Sequence, residues 1–331
     1  MVIVFDEKVL DHEQWEGHPE SPFRIKTLKK KLMNEGLWND VIPPRMITDD
    51  HVLKVHTERH LERLKTGGNM YIDPDTLLMD KTYEFAMMAA SIAATAVRLA
   101  SEGMPSLAVT RPPGHHAGKD TMGGFCYLNN VSIAVEALGL RTAIVDLDVH
   151  HGNGTEEIFY GRSDILFIDF HQAGLYTGTG AMEDIGDGEG ERYTVNIPIP
   201  MASGNQVYKK AMDEIAIPIL REFKPDLIVV SLGVDAHYCN PNSHMNLNTN
   251  GYIDLCRSLI DESNGKIAFI LEGGYHLRST AEVVAGVMAV LNGTEIQAEY
   301  NEERFENIKG SAEIDKLREH LGKYWNLDGH D

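Results

Sequence analysis

The sequence predicts one α/β domain built on a doubly wound, mostly parallel sheet, with its site at the carboxyl ends of the strands. Three observations predict it. Five short runs rich in β-branched residues, at 107–110, 142–146, 165–169, 227–231 and 267–271, are almost continuously apolar, as strands covered on both faces must be. Helical periodicity fills the intervals before, between and after them, at 82–102, 127–138, 205–222, 250–263 and 278–291, and strand alternating with helix is the pattern of a layered α/β fold. No Pro/Ser/Gly-rich linker, low-complexity stretch or internal repeat divides the 331 residues, so one large domain over 1–331 is expected.

From the start, 1–6 reads as a short strand running into acidic residues, without the basic start and apolar stretch of a secretory signal. A helix follows at 21–35. The longest apolar stretch, 85–100, is too short and too rich in Ala, Ser and Thr to span a bilayer, and Arg98 interrupts it; a buried helix accounts for it. The tail, 296–331, is charged and helix-prone and reads as a helical extension. Cys126, Cys239 and Cys256 are odd in number and form no CxxC pair, so neither a disulfide framework nor a cysteine zinc site is indicated. A cytoplasmic protein without membrane association is expected. Fifty acidic residues against 30 basic give a net charge of −20, which repels nucleic acid and steers cations inward. The same acidity also serves solubility, so charge alone does not choose the substrate, and the oligomeric state stays open.

In open α/β sheets ligands bind beyond the carboxyl ends of the strands, and there this chain concentrates its polar chemistry. The first run leads into Arg111-Pro112-Pro113-Gly114-His115-His116 and the second into Asp146-Leu147-Asp148-Val149-His150-His151-Gly152-Asn153. His171 follows the third run, Gly233-Val234-Asp235 the fourth, and Glu272-Gly273-Gly274-Tyr275 the fifth. Five strand ends would converge on one rim.

Asp146, Asp148 and His150 alternate along an extended segment, so their side chains share a face. With Asp235, Asp148 and His150 make a mixed N/O set of three that leaves zinc an open position, the mark of a catalytic site; a solvated loop or helix cap is the alternative reading. His115 and His116 follow a turn pinned by Pro-Pro-Gly, and an imidazole there can take a proton from water and pass it to a departing amine, although paired histidines in loops are often merely exposed. Tyr275 sits in a Gly-Gly-Tyr turn from which its hydroxyl can reach a developing oxyanion, or simply pack on the rim.

Taken together, the motifs HPESPFR (18–24), RPPGHHAG, GGFCYLNN, DLDVHHGNGT, YTGTG, VSLGVDAH and LEGGY resemble the histone deacetylase superfamily, which includes acetylpolyamine amidohydrolases and prokaryotic deacetylase-like proteins. The resemblance covers 2–295 and implies the arginase/deacetylase-like fold. It implies one Zn2+ per chain, with Fe2+ as a rival, held by Asp148, His150 and Asp235. His116 would be general base and then general acid, His115 its electrostatic partner, and Tyr275 the carbonyl polariser. Asp146 and Asn153 would support the histidines. Asp146, with Asp148 and backbone carbonyls, would hold a structural K+, and Phe159, Phe170 and Tyr193 belong to the same supporting set. Gly124, Phe125, Tyr176 and Gly273 would line the substrate tunnel, Asp75 and Asn242 would stand at its rim, and Arg24 in an internal acetate channel.

The implied reaction is hydrolysis of an N-acetylated amine, acetyl-lysine in a peptide or a small acetylamine, with release of acetate. Asn153 and the Glu-Gly-Gly-Tyr run follow the class II and polyamine-type pattern; retained Tyr275 departs from class IIa. Asn242 is neither the glutamate of polyamine-selective enzymes nor the apolar residue of protein-selective ones, so an acetylpolyamine-selective amidohydrolase is the alternative. A two-manganese arginase-like hydrolase would need an acid where Gly233 stands, and a non-catalytic acetyl-ligand sensor would be expected to lack a ligand, a histidine or the tyrosine.

Overall fold

The computed structural model describes residues 1–12, 14–305 and 309–327. Its strands are β1 (Val2–Val4), β2 (Val41–Ile42), β3 (Met70–Asp73), β4 (Thr76–Leu78), β5 (Ser106–Ala108), β6 (Thr142–Asp146), β7 (Ile165–Gln172), β8 (Thr194–Ile199), β9 (Leu227–Leu232) and β10 (Ile267–Leu271). Eight of them form one sheet in the order β2-β1-β5-β10-β9-β6-β7-β8, every adjacent pair parallel. β5, β6, β9 and β10 are buried along their whole length, which explains their unbroken apolar character: helices cover both faces and leave no polar side.

The helices are α1 (Pro22–Asn34), α2 (Asp49–Val52), α3 (Glu58–Thr66), α4 (Thr82–Ser101), α5 (Asn130–Glu136), α6 (Asn153–Phe159), α7 (Asn205–Ala211), α8 (Ile217–Phe223), α9 (Thr249–Glu262), α10 (Leu277–Leu291) and α11 (Lys309–Leu321). α4 is apolar nearly all round because it lies against β1, β5, β10 and α5. α10 packs between α1 and α9. No described helix is long and apolar enough to cross a membrane.

Register places the site. Ala108 pairs with Ile270, Leu271 with Leu232, and Ser231 with Asp146, so four central strands end side by side and their loops open onto one rim. Several elements differ from the sequence expectation. The first expected strand ends at Ala108, since Thr110 has turned to donate its hydroxyl to the Leu271 carbonyl. α5 starts at Asn130 because Asn129 caps it, accepting from the Ser132 N–H. A π-turn, Met212–Ala216, interrupts the expected 205–222 helix just before Pro218. The β3–β4 hairpin and β8 were not expected. Met70–Asp73 is only four residues long and carries no buried face, and Pro198 in β8 is tolerated because β8 is an edge.

Burial of histidine makes the fold sensitive to acid. His12, His56 and His237 are buried, and loss of hydration, the largest cause, pushes them down to about 4, about 3 and about 4. In the unfolded chain each titrates near 6.5. A depressed folded value means that the unfolded state binds more protons between those limits. Stability is therefore complete above about 6.5 and declines as pH falls toward 4. The thermal midpoint is expected to drop progressively over that interval in scanning calorimetry; a level profile would contradict neutral burial of these rings.

Candidate metal centre and active site

The centre is assembled by backbone N–H groups that fix carboxylates. Beyond β6, the Asp148 N–H donates to Asp146 Oδ1 (3.0 Å) and the His150 N–H to Asp148 Oδ1 (3.0 Å). The Val149 N–H holds Asp235 Oδ1 at 3.1 Å, and the Gly273 N–H holds Asp148 Oδ2 at 2.9 Å. Three strand-end loops are thereby locked together. His150 Nδ1 stands 3.0 Å from Asp148 Oδ1 and 3.1 Å from Asp235 Oδ2, and Asp235 Oδ2 is buried without a well-aligned hydrogen bond. One imidazole nitrogen and two carboxylate oxygens, all within 4.8 Å of one another, fit a divalent ion of the zinc type in donor set and spacing. The sequence-predicted ligands thus converge.

A Cβ at Gly233 would collide with the Asp148 carboxylate and backbone, so the close approach of this loop to Asp148 depends on glycine.

Above the centre lies a cavity of about 560 Å3. His115, His116, His150 and Tyr275 face its floor, Gly124, Phe125, Tyr176 and Gly273 its walls, and Asp75 and Asn242 its mouth. Asp75 is exposed, as a rim group must be. The His116 and Tyr176 rings meet edge to face at 5.1 Å, and Phe125 meets Tyr275 at 5.6 Å. Phe125 sits at φ 68° after Gly124 at φ 55°, a left-handed pair that brings the wall against His116. A Cβ on Gly124 would strike the His116 ring.

The paired histidines are driven apart electrically. His115 Nδ1 lies 3.1 Å from Asp146 Oδ2; burial disfavours its charge, but Asp148, Asp146 and Glu272 hold its pKa well above the ordinary value. His116 Nδ1 donates to Asn153 Oδ1 at 2.8 Å, which leaves Nε2 as its lone pair. Burial, then repulsion from His115 and His150, pushes it well below the ordinary value. The two rings are thus pushed in opposite directions, the divergence expected of an acid–base pair. Burial, opposed by Arg24, keeps the Tyr275 phenol protonated, so it is a donor.

Arg24 is buried 4.9 Å from the Tyr275 ring, donating to the carbonyls of Glu272 and Gly274 on either side of Gly273. Phe159, Phe170 and Tyr193 do not line the cavity. Phe170 stacks on Tyr208, Tyr193 packs on Phe223 and Trp325, and the Phe159 carbonyl accepts the Arg162 N–H. His171 is the penultimate residue of β7, paired there with β8, and its ring bonds Asp169 Oδ1 at 2.6 Å and packs on His151 rather than lining the cavity.

Sequence reasoning left four groups without a role. Glu272 is fully buried and accepts the N–H groups of Gly114 (2.6 Å) and His115 (3.3 Å), tying the histidine turn to the tyrosine turn; burial raises it to about 7. Asp73 accepts the Gly124 N–H and shapes the wall. Asn240 Oδ1 accepts the Tyr275 N–H at 2.9 Å. Glu20 and Arg111 form a buried ion pair at 2.6 Å, with Arg24 nearby. Only the last had a signal, in two arginines and a glutamate placed within otherwise apolar or turn-forming motifs.

Metal analysis is expected to find one divalent ion per chain, and Asp235→Asn to weaken its retention by roughly 10²-fold or more, beyond the cost of losing an outer-shell partner. A stoichiometry near two would reverse the single-ion assignment.

Comparison with known proteins agrees with this geometry. Residues 18–291 match the histone deacetylase domain family model. The chain is 39% identical over 315 residues to a protein of Archaeoglobus fulgidus named "Probable deacetylase", with 89% of this chain and 87% of that one covered. It is 35% identical over 278 residues to the histone deacetylase-like amidohydrolase of Pseudomonas aeruginosa, covering 78% and 73%. The crystal structure of the HDA15 HD domain superposes with a TM-score of 0.90 at 32% identity, over 98% of this chain and 95% of that one. With the eight-stranded parallel sheet and the family match running from the first motif through α10, the chain belongs to the histone deacetylase family of hydrolases.

Proposed function

We propose that this chain is a metal-dependent deacetylase that cleaves the amide of an N-acetylated, cationic amine, acting on acetyl-lysine in peptides and on small acetylamines as secondary substrates. The observation that carries this reading is the meeting of the Asp148, His150 and Asp235 ligand atoms beneath a cavity floored by oppositely tuned histidines and a protonated tyrosine. When bound, a zinc or iron(II) ion supplies Lewis-acid polarisation of the carbonyl and lowers the pKa of water.

The chain's own residues do the rest. His116 Nε2 receives a proton from the attacking water and returns it to the leaving amine, and Asn153 fixes the tautomer. His115, held by Asp146, stands beside His116, where positive charge on it makes His116 a weaker base and its protonated form a better acid. Tyr275 donates to the carbonyl oxygen as it gains charge. Phe125 and Tyr176 flank a methylene chain, and Arg24 offers positive charge behind the floor for acetate.

Asp146, Asp148, Asp169, Asp235 and Glu272 are all fully buried or nearly so. That much negative charge supports a second, monovalent cation such as K+ on Asp146, Asp148 and nearby carbonyls. An acetylpolyamine preference is the second reading: Asp73 and Asp75 stand at the mouth, and among the described residues no lysine or arginine lines the cavity. A comparison of kcat/KM for acetyl-lysine peptides with N-acetylputrescine, N-acetylcadaverine and N8-acetylspermidine decides between them.

Activity on a fluorogenic acetyl-lysine peptide is expected to vanish with a chelator and return with Zn2+; ligand binding without turnover would instead identify a sensor. His116→Ala and Tyr275→Phe should each lower kcat by roughly 10²-fold or more, and a near-normal His116→Ala enzyme would refute the proton shuttle. Asn153→Asp places a carboxylate against His116 and raises its pKa. Because the base acts when neutral, the acidic limb of kcat/KM should move to higher pH, and an unmoved limb would count against this pairing.

A further inference from the structure

We propose that residues 299–302, beyond the segment that matches the family domain, form a strap that sets the position of Tyr275, with Tyr300 as its positioning residue. The inference rests on the reading of Tyr275 as the carbonyl donor. The strap is anchored by a buried carboxylate: Glu282 on α10 accepts the N–H groups of Glu299 (2.8 Å) and Tyr300 (2.9 Å), and the Thr249 hydroxyl (2.8 Å). The Thr249 N–H then donates to the Tyr300 carbonyl at 3.1 Å, and the Asn250 N–H to Asn301 Oδ1 at 3.2 Å. Backbone and side-chain bonds therefore fix the strap at the start of α9.

From this anchor two routes reach Tyr275. Along the first, His237 Nδ1 accepts the Cys239 N–H (3.1 Å), so the proton sits on Nε2, which donates to the Tyr300 carbonyl at 3.2 Å. The His237 carbonyl accepts the Asn240 N–H (2.7 Å), and Asn240 Oδ1 holds the Tyr275 N–H (2.9 Å). Along the second, the Tyr300 ring stands edge-on to His276 at 5.4 Å. His276 is the residue after Tyr275 and caps α10 by accepting the Ser279 N–H. The strap thus grips Tyr275 through its own N–H and through its chain neighbour. Both glycines before Tyr275 leave that turn little intrinsic rigidity, so its aim has to come from outside. A Tyr275 hydroxyl displaced by a fraction of an ångström still fills the cavity but loses its alignment with the developing charge.

The test is a mutant cycle on the full-length, metal-loaded enzyme, with variants matched for folded fraction by circular dichroism. Tyr300→Ala, and Tyr300→Leu should the alanine variant fail to fold, is expected to lower kcat about 10-fold or more with KM changed less than about 2-fold. Tyr300→Phe, which keeps the ring, should restore kcat. In a Tyr275→Phe background the same Tyr300 change should have almost no further effect, because the group it aims has gone. An unchanged kcat in the folded Ala or Leu variant, a Phe variant as impaired as they are, or a full effect persisting without the Tyr275 hydroxyl would each overturn the strap. A Tyr275→Phe enzyme as active as wild type would instead overturn the donor role itself.

Discussion

Five carboxylates removed from water at the ends of parallel strands are the constraint on which the rest of this structure depends. Asp146, Asp148, Asp169, Asp235 and Glu272 cannot all stay ionised in so small a volume without positive charge and N–H donors. The chain answers in three ways. Backbone N–H groups of Asp148, Val149, Gly152, Gly114 and Gly273 point into carboxylate oxygens. Burial opposes charge on both rings, but the neighbouring carboxylates raise His115 well above its ordinary value and His150 to about 10. The third is the opening between Asp148, His150 and Asp235, where the donors match a divalent ion. Such an ion would release the proton from His150 and relieve the field on His115.

The parallel sheet makes that concentration of charge structurally possible. In-register ends of β5, β10, β9 and β6 deliver four loops to one place with the smallest excursion of chain. Glycine permits their close approach: Gly233 and Gly273 lie flat against the Asp148 carboxylate, where any side chain would displace it.

Around this centre the surroundings are graded from rigid to open. Beneath it, Glu20, Arg111 and Arg24 form a buried charge cluster that joins the start of α1 to the histidine and tyrosine turns. Above it, the walls become aromatic, and at the mouth they become acidic and exposed. A net charge of −20 extends that negative potential over the molecule as a whole, a field that favours cations over anions at the mouth.

The sequence by itself determined the fold class and singled out the three residues whose donor atoms meet at the centre. Apolar strands covered on both faces leave a period-free signal that no exposed element imitates, and Asp148-x-His150 shows its shared face through the two-residue repeat of extended chain. It also showed His115, His116 and Tyr275 through their turns, and the resemblance supplied their roles. What it did not show were groups whose importance lies in a partner distant along the chain. Glu272 binds a turn 157 and 158 positions away, and Asn240 holds Tyr275 from 35 positions away. Likewise, His171 stands at the end of β7 but turns its ring to Asp169 and His151 rather than to the cavity. Composition and spacing report which residues share a local face; only the tertiary structure decides which buried polar atom meets which, because that depends on how the loops cross after the sheet has set their origins.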